Sequence, residues 1–103
     1  PGPVQKGYKP MDLYHLVIGA AIEQNWVFNE TLARMDQDLE VRILIKILKS
    51  GEIRDIIYET RSGNRYLDES AKKAIKKSNP LPKLPPGKPY YDVGLVFTPR
   101  GLK

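Results

Sequence analysis

The chain has 103 residues, a net charge of +5, 41% hydrophobic and 28% charged residues, which suits one folded domain with a modest core. It has no cysteine, which excludes a disulfide framework and a thiolate metal site, and no apolar run approaching the roughly 18 residues of a membrane helix. The cationic balance allows attraction to acidic partners, nucleic acid or anionic lipid, and selects none of them.

The opening Pro1-Gly2-Pro3-Val4-Gln5-Lys6-Gly7 has no signal-peptide architecture and no initiator methionine, so it reads as the cut end of something longer. Residues 1–10, rich in Pro, Gly and Lys, suit the end of an extended linker. A folded domain is expected over 11–98 and a fraying tail over 99–103.

Asp12 is the expected N-cap of a first helix ending near Asn25. Its broad apolar face takes in Leu13, Tyr14, Leu16, Val17, Ile18, Ala20, Ala21 and Ile22. Asp12, His15, Gly19 and Glu23 line the opposite, polar stripe. Gly19 costs about 1 kcal/mol against alanine in a helix interior, which suggests a close packing contact there. Trp26 follows as a core aromatic packed over the end of a sheet. Residues 27–38 read as a connection with a short helical turn.

Strict alternation over 40–48 puts Val41, Ile43, Ile45 and Ile47 on one side of a strand. Lys49-Ser50-Gly51-Glu52 supplies a turn in which Gly51 can take a positive φ. Residues 53–60 form the second arm of the hairpin. Their imperfect alternation predicts a bulge near Arg54-Asp55. Arg61-Ser62-Gly63-Asn64 is a second turn cluster.

A short amphipathic helix follows over 67–78, buried along Leu67, Ala71, Ala74 and Ile75. Asp68 and Glu69 near its start and Lys72, Lys73, Lys76 and Lys77 toward its end suit the helix dipole. Pro80, Pro82, Pro85, Pro86 and Pro89 rule out helix or central strand over 80–89, leaving an extended crossing segment. Residues 90–98 alternate again, with Tyr91, Val93, Leu95 and Phe97 on one face.

The order α-β-β-α-β gives an α+β fold: a three-stranded antiparallel sheet in spatial order 2-1-3, with two helices on one face. The last strand then lies at an edge without a central lysine or proline to guard it. Such an edge invites an extended partner. Residues Tyr90, Tyr91, Asp92, Val93, Gly94, Leu95, Val96 and Phe97 are the candidate binding segment.

The ordered set of motifs resembles the TonB/TolA C-terminal domain family over about residues 12–98. It comprises Ile22-Glu23-Gln24-Asn25-Trp26 closing the first helix and Ser50-Gly51-Glu52-Ile53 in the hairpin. Ser62-Gly63 and Leu67-Asp68-Glu69-Ser70-Ala71 lead into the second helix, and Ala74-Ile75 precedes Pro80-Leu81-Pro82. An alternating strand ends in Phe97. The resemblance implies a periplasmic domain, anchored to the inner membrane in the full-length protein. It implies a proton-driven motor of the ExbB/ExbD type acting through that anchor, and TonB-dependent outer-membrane receptors as partners. Their extended segment would add as a strand at 90–97, approached through 84–89. The alternative is a TolA-type domain contacting Tol–Pal components. The chain lacks the clear Tyr-Pro pair of many TonB domains, and Asn25-Trp26 is TolA-like, whereas the hairpin and Leu67-Asp68-Glu69-Ser70-Ala71 favour TonB.

Catalysis has no constellation to support it, so catalytic residues, cofactors and metal ligands are expected to be absent. The one histidine, His15, lies on the polar helix stripe without a nucleophile or an orienting group at usable spacing. Asp36, Asp38 and Glu40 alternate as a solvated loop does. Ser50-Gly51-Glu52 and Ser62-Gly63-Asn64 are turns without the spacing of a phosphate loop. Lys72, Lys73, Lys76, Lys77, Lys83 and Lys88 beside Tyr90 and Tyr91 make nucleic-acid binding the rival from another class. Homodimerisation through the free edge is a third reading.

Overall fold

Val41, Ile43, Ile45 and Ile47 are all buried and turn to one side of their strand, and the protein is assembled on that side. The computed structural model describes residues 10–27 and 29–103. The linker assignment for 1–10 therefore lies outside the described residues except at Pro10, which opens the first helix. The elements are α1 (Pro10–Gln24), α2 (Glu30–Ala33), β1 (Val41–Leu48), β2 (Ile53–Thr60), α3 (Arg65–Lys77), β3 (Tyr90–Thr98) and β4 (Gly101–Leu102).

The sheet runs β2-β1-β3-β4 and every neighbouring pair is antiparallel. The expected 2-1-3 order is present, with β1 central. The correction lies at the C-terminus, where a fourth strand replaces the expected fraying tail. Gly101 pairs with Thr98 and Leu102 with Phe97. Thr98-Pro99-Arg100-Gly101 makes the tight reversal, and the Thr98 hydroxyl accepts from the Arg100 amide and donates to the Gly101 carbonyl. Proline at the second position of a turn and glycine at the fourth are the residues such a reversal favours.

The β1–β2 hairpin carries the expected bulge. Leu44 pairs with Ile57 and Lys46 with Arg54, so β2 uses one more residue than β1 across that interval. Asp55 takes the strained position, at φ 56°. A second register shift falls between Arg42 and Ile43. Such bulges twist an edge strand away from further pairing. Gly51 closes the turn at φ 96°, a backbone state that costs other L-residues about 1–2 kcal/mol.

Only Tyr14, Ile18 and Ile22 of α1 are buried, at i, i+4 and i+8. The broad apolar face expected from sequence is thus narrower, with Leu13, Leu16 and Val17 exposed. One helix over one sheet buries a single stripe, whatever lies on its flanks. Asp12 lies within the first turn instead of capping it, because Pro10 already suits the first helical position. Trp26 is buried and meets the Phe97 ring edge-on, centroids 5.0 Å apart at 87°. Its indole N–H donates to Ser70 Oγ and so ties the end of α1 to α3. Leu32 of α2 is buried in the same core, below a cap in which the Asn29 side chain accepts from the Leu32 amide.

α3 starts at Arg65, two positions before the expected start, because the Asn64 side chain caps it by accepting from the Leu67 amide. Leu67, Ala71, Ala74 and Ile75 are buried as expected, and Asp68 is buried with them. Its carboxylate accepts from the amide and the hydroxyl of Ser62, at 3.0 and 2.6 Å. The proline-rich segment is fastened under the β1–β2 turn. Leu81 donates its amide to the Gly51 carbonyl, Leu84 to Lys49, and the Tyr14 hydroxyl donates to the Pro82 carbonyl. Leu81 and Leu84 close that end of the core.

Candidate functional site

An antiparallel strand turns the N–H and C=O of alternate residues to opposite sides. The Lys103 amide donates to the Val96 carbonyl on the side of β3 away from β1, at 2.7 Å. By alternation Tyr90, Asp92 and Gly94 turn their backbone groups to that same outer side. Tyr91, Val93, Leu95 and Phe97 turn theirs to β1, with which they pair at Ile47, Ile45, Ile43 and Val41. The last β3–β4 bond among the described residues is Lys103–Val96, and among those residues no strand lies beside β3 on its outer side from Tyr90 to Gly94.

The candidate segment therefore divides in two. Val93, Leu95 and Phe97 are buried core residues, and Tyr91 is half-buried against Tyr14, ring centroids 6.2 Å apart. Their side chains fix the strand. Tyr90, Asp92 and Gly94 are exposed and Val96 is half-buried on the helix-free face of the sheet. Lys46 of β1 binds both Tyr90 and Asp92: its Nζ lies 4.0 Å from the Tyr90 ring centroid and 3.3 Å from the Asp92 carboxylate.

β4 is held from three directions. Lys103 forms an ion pair with Glu40, and the Leu102 amide donates to the Glu23 carboxylate at 3.2 Å. The Leu102 side chain lies over Gly19, where an added Cβ would be 3.6 Å away. The polar stripe of α1 is thus in part the seat of the C-terminal strand. The Lys103 ammonium, through its hydrogen bond and its charge, holds the Glu40 carboxyl below the usual carboxylate range, and Arg42 adds to the effect. From sequence Glu23 reads only as part of a polar stripe, Glu40 as part of a solvated loop and Lys103 as part of a fraying tail, and none of them as a holder of a strand. The signal that could have found them is the Pro99-Arg100-Gly101 turn, which returns the chain.

His15 is exposed, with Nδ1 at 3.4 Å from the Tyr91 hydroxyl. Tyr90 is met by Lys46 of β1, whereas Lys72 of α3 lies over a different ring, Tyr58, at 5.5 Å from its centroid, with Arg61 at 4.1 Å. Burial, and after it the Asp68 charge, push the Tyr58 hydroxyl above its ordinary value despite Arg61. Asp36 and Asp38 form a loop in which the Asp38 amide donates to the Asp36 carboxylate. Among the described residues no group of His, Asp and Glu has metal-binding geometry, and no helix is long and apolar enough to cross a membrane.

The described residues thus form a two-layer α+β domain, a β2-β1-β3-β4 antiparallel sheet with helices packed on one face. The chain belongs to the TonB C-terminal family, a non-catalytic family whose model, described as "TonB C terminal", matches residues 11–97. The fold is similar to the NMR solution structure of Helicobacter pylori TonB-CTD, with a TM-score of 0.63 at 18% identity over 91% of this chain and 86% of that one. At that identity the likeness speaks for the fold alone. No curated protein matches the chain.

Proposed function

We propose that the domain is the periplasmic, partner-binding end of a TonB-type energy transducer. It takes an extended segment of an outer-membrane receptor as an added strand on the outer edge of β3. Force from an inner-membrane motor of the ExbB/ExbD type, working through an N-terminal anchor, would pass along that strand to the receptor. The observation that carries the reading is the outer ladder at Tyr90, Asp92 and Gly94, unpaired among the described residues, while the opposite edge of the sheet, β2, is distorted by bulges. Family membership supports the TonB partner class over Tol–Pal components.

Strand addition rests on backbone hydrogen bonds, so it should survive ionic strengths that screen surface charges. The test is an NMR titration of the labelled domain with peptides from the receptor segments. Shifts at Tyr90, Asp92 and Gly94 that persist at high salt are the expected result. Shifts confined to α3 and lost with salt, or no shifts with any receptor peptide, overturn it.

A further inference from the structure

The helix-free face of the sheet has a gap in its side-chain layer. By register Ile57, Leu44 and Gly94 form one row across β2, β1 and β3. Ile57 and Leu44 are 55% and 40% exposed, and the third position of the row has no side chain. A Cβ built on Gly94 would lie 3.4 Å from Leu44 Cδ2, so Leu44 borders the bare backbone. The neighbouring positions on that face are filled, because Tyr90 and Asp92 are both engaged by Lys46. At Val96 the ladder is already occupied by Lys103.

We propose that Gly94 is the specificity-determining position of this edge, an inference that rests on the strand-addition reading above. The extended partner segment places a large apolar side chain, best an aromatic ring, opposite Gly94. Residues paired across adjacent strands put their side chains on the same face, about 4.5–5.5 Å apart at Cβ. With an ordinary residue at position 94 the incoming side chain would meet that residue and stop. With glycine it lies across the exposed backbone and reaches Leu44, whose strand is roughly 10 Å from the added one. An aromatic ring spans that distance and supplies the packing an edge glycine lacks. Opposite Asp92 or Tyr90 the same ring would meet a charged or already covered neighbour. One position thus sets both the preferred residue and the register of the incoming strand.

A random-peptide selection on the wild-type domain and on Gly94→Val tests this, with binders mapped onto β3 by NMR and the variant's fold checked by circular dichroism. Leu44→Thr, at an exposed strand position, is a second variant that leaves the glycine in place. Wild-type selections should enrich an aromatic or large aliphatic residue at one fixed position, and both variants should lose that enrichment. Serine at that position of a selected peptide should weaken wild-type binding about tenfold, the change expected from roughly half-burying one large side chain. It should leave Gly94→Val binding unchanged. Edge-bound peptides with no favoured residue, or with the same preference in Gly94→Val, overturn the proposal and leave strand addition standing. Failure to recover any edge-bound peptide overturns both.

Discussion

The Lys103 amide donates to the Val96 carbonyl at 2.7 Å, and this is the last bond between β4 and β3 among the described residues. Beyond it β4 occupies the outer ladder. Before it the backbone groups of Gly94, Asp92 and Tyr90 turn outward, and among the described residues no strand lies beside them. Amide exchange should show the division. The Tyr91, Val93 and Leu95 amides, bonded to β1, should exchange far more slowly than those of Asp92 and Gly94. Equal protection along 90–95 would mean that something already covers the edge.

The anchoring of β4 is pH-dependent through Glu40. Its folded carboxyl titrates below the ordinary glutamate value because of Lys103. A depressed carboxylate contributes stability above its unfolded pKa and loses it as pH falls through the folded one. Acidification from neutral through and below the usual glutamate range should therefore loosen Gly101 and Leu102, read as faster Lys103 amide exchange. In Glu40→Gln the part of this acid response that comes from the Glu40–Lys103 pair should be lost.

Asp68 is 4% exposed and accepts two hydrogen bonds from Ser62. Asp68→Ala should cost about 1–3 kcal/mol, because the Ser62 amide is left without its acceptor in a part-buried place. Asp68→Asn keeps one acceptor oxygen and should cost less. Urea unfolding followed by circular dichroism measures both.

Phe97 is fully buried and carries the edge of Trp26. Phe97→Ala should cost about 3–5 kcal/mol, a large share of the 5–15 kcal/mol that usually holds a domain. Trp26 is the single tryptophan, so its fluorescence follows the transition directly. Its emission should shift to the red in the folded variant as water reaches the space the ring left.

Two glycines should answer oppositely to alanine. At Gly51 a Cβ would lie 1.8 Å from the Leu81 carbonyl oxygen, and φ is +96°. Gly51→Ala should lose about 1–2 kcal/mol from the backbone alone, and more from displacing the proline-rich segment. At Gly19 the nearest atom, Leu102 Cδ2, is 3.6 Å away, ordinary contact distance. Gly19→Ala should raise stability by about 0.5–1 kcal/mol, the helix propensity gained. Thermal melts of the two variants would decide it, and a destabilised Gly19→Ala would mean that β4 packs closer than this geometry.

The period-two run from Val41 to Ile47, the Gly51 turn and the proline stop after α3 fixed the α-β-β-α-β order and the central place of β1. Each is local chemistry that a few adjacent residues decide. The bulge was legible too, because a broken alternation in Ile53–Thr60 leaves a parity error that only an extra residue can absorb. Burial was not legible in the same way: Leu13, Leu16 and Val17 are as apolar as Ile18, yet the single sheet beneath α1 covers one stripe only. The buried Asp68 was invisible because its partner, Ser62, reaches it through a turn whose path sequence does not give. The same holds for the extent of the open edge. Glu23, Glu40 and Lys103 are ordinary surface charges in the sequence, and each acquires its role only when the Pro99-Arg100-Gly101 reversal brings β4 against α1 and β3. Local pattern sets what each element is. Which backbone groups remain unpaired depends on contacts between residues far apart in the chain, and those exist only in the folded state.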